Sequence, residues 1–131
     1  FKTEHLDAIE GAAPSVDQIE MHPSFNQATF RAELAERGIN PEAWSPLGQS
    51  KDLDNPVLTD ISKATGKTPA QVVIRWHLQI GNVVFPKSVT PSRIAENFDV
   101  FDFELSDEQI AAIDGLDHGN RLGGDPSTAD F

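Results

Sequence analysis

Residues 68–85 read Thr68-Pro69-Ala70-Gln71-Val72-Val73-Ile74-Arg75-Trp76-His77-Leu78-Gln79-Ile80-Gly81-Asn82-Val83-Val84-Phe85. The first part is punctuated as an α-helix. Thr68 and Gln71 form a capping box, Pro69 takes the first helical position, where a missing N–H costs nothing, and Gly81 supplies a stop. Val72, Val73, Trp76 and Ile80 recur at helical spacing and predict one buried stripe. Then the period changes. Asn82–Phe85 is short, apolar and β-branched, as expected of a strand covered on both faces. A helix that runs straight into such a strand is half of a βαβ unit.

The same grammar extends in both directions. Upstream, Thr3 is placed to cap a short helix carrying Leu6 and Ile9 and stopped by Gly11. Asn26 opens a helix that turns Phe30 and Leu34 inward and ends at Gly38. Asn55-Pro56 reads as N-cap and first helical residue, with Gly66 at the far end. Ser15–Met21 and Ile39–Trp44 are extended runs. Downstream, Thr90-Pro91 opens a helix, and Ser106 with Gln109 forms a second capping box, Leu105 stapling onto Ile110. The order is helix, strand, helix, strand, two helices, strand, two helices, which predicts a parallel α/β sheet. Three such strands cannot close a barrel. A (β/α)8 barrel takes roughly 250 residues, so the expected fold is the C-terminal half of one, carrying strands six to eight. The Ser106–Leu116 helix is then an extra one outside the ring, and residues 119–131 form a surface loop.

Composition narrows the function. The chain has 131 residues, 38% hydrophobic and 24% charged, which suits one globular unit with a core. Its net charge of −11 repels a phosphate backbone, so nucleic acid is not an expected partner. No apolar run reaches a membrane span and no signal peptide is visible, so no membrane partner is expected. Cysteine is absent, which excludes disulfides and thiolate zinc sites and fits a cytoplasmic location. Tyrosine is absent too, removing one common general acid.

Against that acidic background the cations stand out. Pro86-Lys87-Ser88-Val89-Thr90 joins a strand end to a helix start, and Arg93 lies three residues into the helix. A cation, hydroxyls and free helix N–H groups at one point make a phosphate site. Ser45-Pro46-Leu47-Gly48-Gln49-Ser50 follows the preceding strand, and in such barrels phosphate sits on loops after the late strands. The plainer alternative is that Thr90-Pro91 is only a cap and Lys87 only solvated. Trp76 is read as core, Arg75 as a partner for a carboxylate, Glu20 as half of an internal ion pair, and His22 and His77 as structural.

Six segments occur together in order: Asp17-Gln18-Ile19-Glu20-Met21-His22-Pro23, Glu42-Ala43-Trp44-Ser45-Pro46-Leu47-Gly48, Arg75-Trp76-His77-Leu78-Gln79, Pro86-Lys87-Ser88-Val89, Arg93-Ile94-Ala95-Glu96-Asn97 and Phe101-Asp102-Phe103-Glu104-Leu105. The combination resembles the aldo-keto reductase family, in the style of its 2,5-diketo-D-gluconate reductase branch. The resemblance implies an NADPH-dependent oxidoreductase that reduces aldehydes and ketones without a metal. It implies that Gln18 bonds the nicotinamide carboxamide and Trp44 stacks on its ring. Ser45, Leu47, Gly48 and Gln49 would wrap the pyrophosphate. Lys87, Ser88, Val89 and Arg93 would hold the 2′-phosphate, with Glu96 and Asn97 at the adenine. Asp17 departs from the family's usual Asn. The family's catalytic Asp, Tyr, Lys and His match no position here, since Phe1 matches the Phe after the Ser-Asn pair past strand five. The expected catalytic set of this chain is therefore empty. The chain alone is expected to be inactive and weakly stable or self-associated, its partners being the N-terminal half of the same, monomeric barrel and a small carbonyl substrate. Two alternatives stand beside this reading: another phosphate-binding barrel enzyme, and a non-catalytic cofactor-binding sensor.

Overall fold

The computed structural model describes residues 1–128. Three parallel strands, β1 (Val16–Glu20), β2 (Asn40–Trp44) and β3 (Val83–Val84), lie in the order β1-β2-β3. Helices α1 (Thr3–Asp7), α2 (Ala28–Glu36), α3 (Pro56–Thr65), α4 (Pro69–Gln79), α5 (Pro91–Phe98) and α6 (Asp107–Asp114) complete the expected alternation. The register pairs Gln18 with Glu42 and Glu20 with Trp44. Those four side chains therefore share one face, while Ile19 and Ala43 point into the other, buried face.

The helices begin where their local chemistry dictates. Asn55 Oδ1 accepts from the Val57 N–H at 2.9 Å, and Gly66 closes α3 with φ 70°. Thr68 and Gln71 complete the capping box of α4 in both directions, at 3.3 and 3.0 Å. Ser106 and Gln109 do the same for α6. Two cores result. One lies among helices α3, α4 and α6 and holds Leu58, Ile61, Val72, Val73, Trp76 and Ile113, joined by Leu105 and Ile110. The other joins α1, α2, β1 and β2 through Leu6, Ile19, Met21, Leu34 and Ala43. The extra helix α6 is clamped to α4 by the Trp76 indole N–H, which donates to Asp114 Oδ1 at 2.9 Å.

Four expectations are corrected. Thr3 does not cap α1: it is the first helical residue, and its hydroxyl donates to Glu33 Oε2 at 2.7 Å. That helix ends at Asp7 rather than reaching Gly11, which leaves Ile9 exposed. Asn26 accepts from the Ala28 N–H at 2.9 Å, yet Gln27 between them takes a left-handed φ of 49°, so α2 starts one residue later than a simple cap implies. Thr90 and Pro91 do open α5 as expected, although the Thr90 side chain accepts no cap bond. The run 82–85 is not covered on both faces: β3 is two residues long, and Val83 and Phe85 are exposed. Among the described residues β3 pairs only with β2, and nothing covers the face that carries Val83 and Phe85. Exposed Ile94, Phe98 and Phe101 continue the apolar surface beside it.

Candidate functional site

Sequence-distant elements converge on a cleft of about 650 Å³. The β3–α5 loop and the first turns of α5 bring Lys87, Ser88, Val89, Arg93, Glu96 and Asn97 to one wall, and Leu47 joins them from the loop after β2. The opposite wall is built by Ser50, Leu53, Asp54, Thr68, Pro69 and Ala70. Sequence reasoning had named Ser50 only as the end of the loop after β2 and missed the other five as lining residues. The cap signature of Thr68-Pro69 was visible, but nothing local announced that the start of α4 faces the start of α5.

The chemistry of the cleft suits a phosphorylated nucleotide. Lys87 and Arg93 are exposed and free of carboxylate partners among the described residues. Because Thr90 does not cap α5, the first-turn N–H groups lack a side-chain acceptor, and an anion satisfies them best. Ser88 Oγ instead accepts from the Thr90 N–H at 3.2 Å and shapes the loop. Glu96 is already engaged: it accepts from the Thr68 hydroxyl at 2.7 Å, and its carbonyl accepts from Gln71. Asp54 is the one carboxylate on the far wall.

Gln18, Trp44, Ser45, Gly48 and Gln49 do not line that cleft. Gln18 and Trp44 lie on the shared face of β1 and β2, where Gln18 Nε2 donates to Glu42 Oε1 at 2.5 Å. The loop beyond Trp44 is tightly wound. Ser45, Gln49 and Ser50 have φ of 50°, 53° and 65°, and Gly48 has 55°. Non-glycine residues held there cost of order 1–3 kcal/mol each, a concentration typical of binding loops. At Gly48 a Cβ would fall 2.8 Å from Asp52 Oδ2 and 3.3 Å from His22 Nδ1, so the close approach itself demands glycine.

Both buried histidines hold this loop. His77 accepts at Nδ1 from the Asn82 amide at 3.0 Å, so Nε2 carries the proton and donates to the Pro46 carbonyl at 3.0 Å. Burial drives His77 down to about 4. Its pKa thus lies below the ordinary value of 6.5, and the unfolded chain binds the proton first on acidification. Its contribution is complete above pH 6.5 and is lost as pH falls towards 4, a span worth about 3 kcal/mol. We expect His77→Gln to flatten the stability profile in that window, measured by urea unfolding at successive pH values. An unchanged slope would contradict the neutral, buried assignment.

His22 behaves oppositely. Burial opposes its charge, but hydrogen bonds to Asp52 and Glu20, at 3.2 and 3.1 Å, outweigh burial and raise its pKa. Glu20 resists burial through the backbone N–H groups of Leu122 and Gly123 and through His22, which together lower its pKa. The expected ion pair of Glu20 is therefore present with His22, and Arg121 approaches at 3.9 Å. Arg75 meets Glu104 at 3.3 Å, and Trp76 is fully buried, both as expected.

The model of the Aldo/keto reductase family matches residues 1–118. The chain belongs to the aldo/keto reductase family. It is 55% identical to an aldo-keto reductase of Mycolicibacterium smegmatis, covering 100% of this chain and 49% of that protein. It is 50% identical to methylglyoxal reductase DkgA of Escherichia coli K12, over 96% of this chain and 48% of that one. Among solved structures, apo Gox0644 superposes with a TM-score of 0.97 at 46% identity, over 100% of this chain and 50% of its own. The chain thus spans about half the length of the reductases it matches, and its three-stranded α/β unit is half of an aldo-keto reductase barrel.

Proposed function

We propose that this chain is the cofactor-binding, C-terminal half of a cytoplasmic, monomeric NADPH-dependent reductase that converts aldehydes or ketones to alcohols. The observation that carries the reading is the cleft in which Lys87, Ser88 and Arg93 meet Leu47, Glu96 and Asn97 at the start of α5. Relatives support it: a point mutant of Gox0644 is known in complex with NADPH, and the aldo-keto reductase of Bombyx mori in complex with NADP. Lys87, Ser88, Val89 and Arg93 bind the 2′-phosphate, and Glu96 and Asn97 flank the adenine. Ser45, Leu47, Gly48 and Gln49 enclose the pyrophosphate. Gln18 orients the carboxamide and Trp44 supports the ring, which when bound supplies the hydride. Proton donation falls to the N-terminal half of the barrel, so the chain alone is inactive.

Two tryptophans make the nicotinamide side testable. Trp44 is half-buried on the strand face beside Gln18, whereas Trp76 is fully buried among the helices. In the complete barrel, NADPH should quench Trp44 and leave Trp76 unaffected. Trp44→Phe should remove most of the quench while weakening binding only by the roughly 0.5–1.5 kcal/mol of ring stacking. A quench that survives Trp44→Phe and disappears with Trp76→Phe would refute the placement.

A further inference from the structure

One buried charged cluster lies outside the proposed chemistry: Glu20, His22 and Asp52, with the side chains of Glu20 and His22 fully buried. We propose that it is a latch through which the tail segment 118–123 and the loop 45–52 hold each other in place, with His22 as the positioning residue between them. On the tail side, the Glu20 carboxylate accepts from the N–H groups of Leu122 at 2.6 Å and Gly123 at 2.9 Å. The Ser24 carbonyl accepts from Asn120 at 3.0 Å and His118 at 3.3 Å. On the loop side, Asp52 Oδ2 accepts from the Ser24 N–H and hydroxyl at 3.2 and 2.9 Å, and lies 3.2 Å from His22 Nδ1. His22 Nε2 faces Glu20 at 3.1 Å. Only a doubly protonated ring donates to both carboxylates; a neutral ring serves one.

Neither segment has slack. A Cβ at Gly123 would fall 2.3 Å from the Trp44 ring, and one at Gly48 2.8 Å from Asp52 Oδ2. The latch therefore fixes what packs against Trp44; calling that edge the nicotinamide side rests on the proposed function, but the latch itself does not. The other charged or titratable groups facing the cluster are Arg121 from the tail, His77 from α4 and, behind His77, Arg31 from α2.

Amide hydrogen exchange in a complete barrel carrying this chain, without nucleotide, tests the coupling. Asp52→Ala changes only the loop side, yet should speed exchange at Asn120, Leu122 and Gly123 by about tenfold, the loss of one buried hydrogen bond. Glu20→Gln should do the same at Gly48 and Lys51. In the unmodified protein, protection of both segments, corrected for intrinsic rates, should fall together as pH rises through the His22 titration, and Asp52→Ala should abolish that joint step. If each variant loosens only its own side, or tail protection ignores pH, the latch is refuted. Should Glu20→Gln fail to fold, Asp52→Ala decides alone, its side chain being 13% exposed. Nucleotide binding is not read, so failure of the cofactor assignment would leave this result standing.

Discussion

Replacing Arg93 with Ala in the complete barrel should raise the KM for NADPH roughly 10- to 100-fold and leave that for NADH nearly unchanged. The only difference between the two cofactors is the 2′-phosphate. A charge-assisted hydrogen bond to such a group contributes about 1.5–3 kcal/mol, which sets the size of the effect. Arg93 projects from the first turns of α5 into the cleft shared with Lys87 and Ser88. Its planar fork grips phosphate oxygens in a way that Lys87, a point charge, does not reproduce. Lys87→Ala should therefore show the same direction with a smaller amplitude. Parallel losses for NADPH and NADH would place both residues away from the 2′-phosphate.

Trp76→Ala should destabilise the protein by about 3–5 kcal/mol, the cost of emptying a fully buried aromatic site. The indole has no exposed surface and packs where α3, α4 and α6 meet. Its N–H also satisfies Asp114, so truncation leaves that carboxylate without its buried donor. Trp76→Phe keeps most of the volume and should cost clearly less. Denaturant unfolding measures both, and a loss below about 1 kcal/mol for Trp76→Ala would mean that the helical core is held elsewhere.

What was legible in the chain was local. Thr68 with Gln71, Ser106 with Gln109, and Asn55 with Pro56 announce their helices because each cap closes within a few residues. The proposed anion loop at 87–93 could be named from sequence for the same reason: its cation, hydroxyl and helix start are contiguous, and the structure gathers them at one cleft. Thr3 misled because its hydroxyl is spent on Glu33, thirty residues away. β3 misled because an apolar β-branched run does not say which segments pack on its faces, and within the described residues none covers Val83 and Phe85. The far wall of the cleft and the partners of Glu20 and His22 were invisible, since the contacts that define them join residues about thirty positions apart, Thr68 to Glu96 and His22 to Asp52. Fold class followed from the alternation of elements, and the site only where its parts were neighbours in sequence.

The most direct test is the affinity of the complete, unmodified protein for NADP+ relative to NAD+, measured by fluorescence titration at fixed ionic strength. The proposed placement of Lys87 and Arg93 at the 2′-phosphate predicts that NADP+ binds at least about a hundredfold more tightly. Equal affinities for the two dinucleotides would contradict the assignment of the cleft.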